Sequence, residues 1–181
     1  MTIRISKAIF LDRDGVILVE KDFISDISQL EYIPKAIEAL NLIPAEYLKI
    51  IISNQSGIGR GYFTASQVDK FNKALVVDLK KKGVLIDKIY YCPHSPDDNC
   101  ECRKPKTGLF DLAHRQFDIN YTKSWMIGDK SSDIQAGKNI GASTIQVLTG
   151  YAGREPGALK VKADFVTLNL FEAVEIIINE R

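Results

Sequence analysis

Short apolar runs that halt at polar or acidic residues alternate along this chain with stretches of helical spacing, which limits the fold more than any single motif does. Parallel strands cannot be joined by tight turns, so intervening helices are the expected crossovers of an α/β domain with a mostly parallel sheet. Runs at 7–11, 49–52, 86–91, 124–127 and 144–148 read as buried strands, with a shorter one at 164–166. Helical spacing covers 34–42, 108–117, 132–140 and 169–180, with Pro34 suited to a first turn and Gly141 to a stop. The clearest helix opens at Thr64, in capping-box spacing with Gln67, and Gly83 is placed to end it. The stretch 150–162, where Gly and Pro cluster, reads as a surface loop.

At 181 residues the chain is the size of one domain, 1–181, and can bury a core without disulfides. Lys plus Arg number 24 against 23 Asp plus Glu, and this +1 balance argues against a nucleic-acid or acidic-membrane binder. No apolar run reaches the roughly 18 residues of a membrane span. Residues 1–10 lack the long apolar stretch and cleavage site of an export signal, so a cytoplasmic location is expected. The 3 cysteines, Cys92, Cys100 and Cys102, share a short segment with His94 in the form C-x-H-x5-C-x-C. Thiolates and an imidazole so clustered form a closed tetrahedral set, which points to a structural Zn²⁺.

In an open parallel sheet, ligands bind beyond the carboxyl ends of the strands. Asp12-Arg13-Asp14-Gly15 follows the first strand, Ser53-Asn54-Gln55 the second, and Gly128-Asp129-Lys130 a later one. Carboxylates gathered on one rim repel one another unless a cation sits among them, and oxygen-only ligands favour Mg²⁺ bridging to a substrate phosphate. Beside a bound phosphoryl group, such a carboxylate can act as nucleophile.

FLDRDGV at 10–16, ISNQS at 52–56, CRKPKTG at 102–108 and MIGDKSSD at 126–133 together resemble the haloacid dehalogenase superfamily of phosphohydrolases, in the order those motifs take there. The resemblance implies a Rossmann-like three-layer α/β/α domain. It makes Asp12 the nucleophile and Asp14 the acid/base, with Ser53 and Lys104 holding the phosphoryl group. Asp129 would ligate Mg²⁺ with Asp12 and the backbone carbonyl of Asp14, and Asp133 would stand near Lys104 or the metal. The segment 19–32 is too short for a full cap domain, so the site is expected to be open and capless.

Zinc loop and phosphatase motifs together resemble the phosphatases of D-glycero-D-manno-heptose 1,7-bisphosphate, with the histidinol-phosphate phosphatases close behind. SNQSGIGRGYFT at 53–64 favours the heptose group, because Arg60 suits a second, distal phosphate. On this reading Asn54, Gln55, Ser56, Arg60, Arg103 and Lys130 contact substrate, and the zinc loop aims Arg103 and Lys104 at the site. Glu20, Lys21, Asp22 and Phe23 occupy the family's substrate-contact loop with different residue types. The implied role is C7 dephosphorylation through an aspartyl-phosphate, feeding nucleotide-activated heptose and lipopolysaccharide core precursors. A monomer is expected. Two alternatives stay open: histidinol phosphate as substrate, and a non-catalytic phosphate-binding module on the same scaffold.

Overall fold

A computed structural model describes residues 6–180; Arg181 and Met1–Ile5, on which the export reading partly rests, lie outside the described residues. The elements run β1 (Lys7–Leu11), α1 (Ala36–Leu42), β2 (Tyr47–Asn54), α2 (Ala65–Lys81), β3 (Lys88–Cys92) and α3 (Gly108–Phe117). There follow β4 (Trp125–Gly128), α4 (Ser131–Asn139), β5 (Ser143–Val147), β6 (Phe165–Thr167) and α5 (Leu170–Asn179). The strands form a 6-stranded sheet in the order β3-β2-β1-β4-β5-β6. Every neighbouring pair is parallel.

Successive side chains of a strand point to opposite faces, and β1 shows what that produces. Ile9 and Leu11 pack with residues of α1, α2 and α5 on one face. Ala8 and Phe10 pack with residues of α3 and α4 on the other, giving three layers. Fully burying a large aliphatic or aromatic side chain contributes about 1.5–3 kcal/mol. Both faces of the sheet are therefore anchored around the same central strand.

Local signals set the helix ends. The Thr64 hydroxyl accepts from the Gln67 N–H at 3.3 Å, and the Gln67 side chain accepts from the Thr64 N–H at 2.8 Å. Gly83, at φ +85°, ends α2 in the left-handed conformation. Helix α1 starts at Ala36, past Pro34, because Lys35 sits at φ +65° and interrupts the helical path. Strand β2 extends beyond its apolar run at both ends, because pairing with β1 takes in Tyr47 and Leu48 and pairing with β3 takes in Ser53 and Asn54.

The chain winds outward from β1 through β2 to β3, then returns to the other side for β4, β5 and β6. The order reverses between β1 and β4, where a crevice opens at the carboxyl ends of the strands. The segment 148–164 joining β5 to β6 holds no helix. It is more than a surface loop. The Tyr151 N–H donates to Asp129 Oδ2 at 2.7 Å, and the Thr149 hydroxyl donates to the Gly15 carbonyl at 2.6 Å, so the segment walls one side of that crevice. Among the described residues, no helix is long and apolar enough to cross a membrane.

Candidate active site

Asp12 leaves β1, Asp129 leaves β4, and Asp133 lies in the first turn of α4. All three are buried, and one carboxylate oxygen from each lies within 4.8 Å of the others. Such crowding needs positive charge. Lys104 supplies part of it, with Nζ 3.0 Å from Asp12 Oδ1, 2.7 Å from Asp133 Oδ1 and 2.5 Å from the Ile52 carbonyl it donates to. Burial works against the ammonium, but Asp12 and Asp133 together raise its pKa above the ordinary lysine value. The Lys104 charge does not satisfy the whole cluster. Burial first, then the charges of Asp12 and Asp133, push Asp129 up to about 8. Burial raises Asp133 to about 6, with Lys104 pulling the other way.

Asp129 Oδ1 is buried and has no hydrogen-bond partner among the described residues. An orphaned carboxylate oxygen amid oxygen-only neighbours fits a hard divalent cation such as Mg²⁺. Gly15 and Gly150, at φ +85° and +60°, bring bare backbone against the Asp129 carboxylate; a Cβ at either would collide with it. No other residue type leaves that space.

Asp14 is tied down from two directions. Arg13 Nε and Nη2 donate to its two oxygens at 3.0 and 2.9 Å, and Gln55 Nε2 donates to Oδ2 at 3.1 Å. The same Gln55 amide donates to Ser53 Oγ at 2.7 Å, linking the ends of β1 and β2. Asn54 clamps the Lys104 backbone, accepting from its N–H at 3.1 Å and donating to its carbonyl at 3.2 Å. The end of β2 therefore positions Lys104 as well as Ser53.

Cys92 closes β3, and the other soft ligands follow in the next loop. Its Sγ lies 3.2 Å from that of Cys102 and 3.6 Å from that of Cys100, while His94 Nδ1 is 3.2 Å from Cys102 Sγ. A tetrahedron with metal–sulfur bonds of about 2.3 Å has edges of about 3.8 Å, so four donors at this spacing fit Zn²⁺. A disulfide would need sulfurs about 2.05 Å apart. The cluster is braced against the loop after β2: Gln55 N–H donates to the Cys92 carbonyl, and Gly59 N–H to that of Pro93, both at 2.8 Å.

Beyond the carboxylates lies a cleft of about 490 Å³ whose lining includes Asp14, Ser56, Arg60, Arg103 and Lys130. Arg60 is exposed, and Arg103 Nη1 is buried without a hydrogen-bond partner among the described residues. Glu20, Asp22 and Phe23 also line the cleft. Glu20 pairs with Lys130 at 3.0 Å, Asp22 accepts from the Tyr151 hydroxyl at 2.9 Å, and Phe23 meets Tyr62 edge-on. Burial raises the Glu20 pKa against the pull of Lys130. Lys21 departs from its expected place, because its ammonium turns away to Glu31 at 2.6 Å. Sequence reasoning missed Arg13, which nothing marked as inward-facing, and Tyr151 and Glu155 in the wall segment. Glu155 accepts from the Ser131 N–H at 2.7 Å. Only the glycines near Tyr151 hinted at a close approach.

Residues 101–173 match a family model described as HAD-hydrolase-like. The chain is 37% identical over 179 residues to the D-glycero-beta-D-manno-heptose-1,7-bisphosphate 7-phosphatase of Pasteurella multocida, covering 94% of this chain and 96% of the relative. It is 42% identical over 141 residues to the corresponding alpha-anomer phosphatase of Campylobacter jejuni, covering 77% of this chain and 81% of the relative. Among solved structures, it is similar to a D,D-heptose 1,7-bisphosphate phosphatase from B. bronchiseptica complexed with magnesium and phosphate. That match has a TM-score of 0.85 at 30% identity and covers 97% of this chain and 99% of the other.

Proposed function

Since the chain belongs to the haloacid dehalogenase-like phosphatases, in the family of the D-glycero-D-manno-heptose-1,7-bisphosphate 7-phosphatases, we propose that it removes the C7 phosphate of that bisphosphate. One observation carries the reading most directly. Buried Asp12 is held beside Asp129 and Lys104, and Lys104 itself lines a cleft shared with Arg60, Arg103 and Lys130, which suits a doubly phosphorylated sugar.

In this mechanism an Asp12 carboxylate oxygen attacks phosphorus, and the bond from phosphorus to the C7 oxygen breaks. Asp14 gives its proton to that departing oxygen, leaving an aspartyl-phosphate on Asp12. Water then attacks phosphorus, its proton returns to Asp14, and the phosphorus–Asp12 bond breaks to release inorganic phosphate. Ser53 and Lys104 bind the transferring phosphoryl oxygens. Asp12, Asp129 and the Asp14 backbone carbonyl would hold Mg²⁺, which would supply charge neutralisation for the phosphoryl group. Asp133 holds Lys104 in place by their ion pair.

Cys92, His94, Cys100 and Cys102 would hold a structural Zn²⁺, which would order the loop leading into Arg103 and Lys104. The activity supplies precursors of nucleotide-activated heptose for the lipopolysaccharide core, a role that fits a heptose bisphosphate phosphatase. The reading extends to a cytoplasmic monomer; free clustered thiols suit a reducing compartment. Steady-state phosphate release from heptose bisphosphate and from histidinol phosphate, with and without Mg²⁺, tests the assignment. The expected result is a strong kcat/KM preference for the heptose substrate and loss of release without Mg²⁺. A preference for histidinol phosphate would replace the substrate, and Mg²⁺-independent release would discard the mechanism.

A further inference from the structure

The largest fully buried side chain among the described residues is a charged one, Arg13, at 0% exposure. Its Nε and Nη2 grip both oxygens of Asp14, the paired geometry in which a guanidinium fixes the plane of a carboxylate. The rest of Arg13 is itself fixed. Nη1 donates to Asn72 Oδ1 at 3.0 Å, Nη2 donates to the Ile24 carbonyl at 3.1 Å, and the Phe71 ring lies 4.7 Å from the guanidinium carbon. A buried ion pair is seldom more stable than well-packed apolar residues of the same volume, so stability alone does not explain this arginine. Its partner, Asp14, is an acidic side chain of the cleft lining.

We propose that Arg13 is a positioning residue for the reaction, setting the plane and aim of the Asp14 carboxyl while Asn72 and Phe71 of α2 hold Arg13. The inference rests on the reading of Asp14 as the proton carrier. Asp14 must reach two different oxygens in turn, the departing C7 oxygen and the attacking water, and a rotated carboxyl serves neither. Lysine in place of Arg13 keeps the positive charge but loses the two-point grip.

The test compares an alkyl sugar phosphate, whose alcohol leaves only when protonated, with p-nitrophenyl phosphate, whose phenolate leaves without a proton. In Mg²⁺-supplied enzyme, Arg13→Lys should lower kcat on the sugar phosphate by about 100-fold. KM should move by less than about threefold. Single-turnover release of p-nitrophenolate should stay near the wild-type rate. Asn72→Ala, which loosens Arg13 without touching Asp14, should show the same bias more weakly. Single-turnover amplitude counts folded sites, so a purely structural defect lowers amplitude and slows neither release step selectively. Equal rate losses on the two substrates, or an unchanged rate on the sugar phosphate, would overturn the role of Arg13. Asp14→Asn is run alongside. If it lacks the leaving-group bias, the reading of Asp14 fails first and takes this inference with it; if it alone shows the bias, only Arg13 is withdrawn.

Discussion

Two groups of side chains that could hold a metal ion stand near the carboxyl edge of the sheet and are assembled in opposite ways. The thiol and imidazole group comes from one short stretch, Cys92 to Cys102, and most of it is only partly buried. The carboxylate group draws on β1 and β4 and on the start of α4, and every member is buried. One is closed on itself, with no donor left to face a substrate. The other meets the cleft through Lys104 and keeps an unpartnered oxygen on Asp129. A closed set suits an ion that stays and shapes a loop, whereas an open one suits an ion that shares its ligands with substrate.

The sharpest way to break this contrast is Asp12→Asn. Turnover should fall by about 10,000-fold or more, because the proposed nucleophile is lost. Calorimetry should find the melting temperature unchanged or higher, since one of the crowded charges is removed. A large loss of stability would mean that the carboxylate group is structural after all. Cys92→Ser should do the reverse in proportion. Elemental analysis should fall from about one zinc per chain towards none, as the tetrahedral set loses a thiolate. The melting temperature should drop by at least about 5 °C, given that each kcal/mol moves a domain of this size by about 2–4 °C. Absence of zinc from wild-type protein prepared without chelator would end the closed-site reading.

Gly150→Ala probes the wall that the β5–β6 segment builds. The added methyl would collide with the Asp129 carboxylate and come 2.7 Å from Gly15 Cα, in backbone already at φ +60°. The Mg²⁺ concentration for half-maximal activity should rise about tenfold, the equivalent of 1.4 kcal/mol. An unchanged Mg²⁺ requirement would show that the wall does not support the metal site. The smallest effect is expected at the cleft mouth. Arg60→Ala should raise KM for the bisphosphate by about tenfold, as for one lost charge-assisted hydrogen bond, and leave a monophosphate nearly unaffected. Equal losses on both would remove Arg60 from specificity.

Much of this molecule is written in short-range sequence. The Thr64–Gln67 capping box, the stops at Gly83 and Gly141, and the alternation of strands and helices each depend on a few neighbouring residues. The convergence of Asp12, Ser53 and Asp129 was legible because strands of a parallel sheet all end on one rim. The gathering of Cys92, His94, Cys100 and Cys102 was legible because thiols and an imidazole at that spacing have few other uses.

Tertiary structure alone decided the rest. Arg13 could have pointed to solvent until α2 brought Asn72 and Phe71 beneath it, and Lys21, in the next loop, turned outward to Glu31 instead. Asp133 became the anchor of Lys104 only when α4 was laid beside the exit of the cysteine loop. The 150–162 stretch became a wall because Tyr151 met Asp129 across a long sequence gap. Periodicity and capping are local and survive in the bare sequence. The aim of a long side chain or an irregular loop is set by packing partners distant in the chain, and no local pattern announces them.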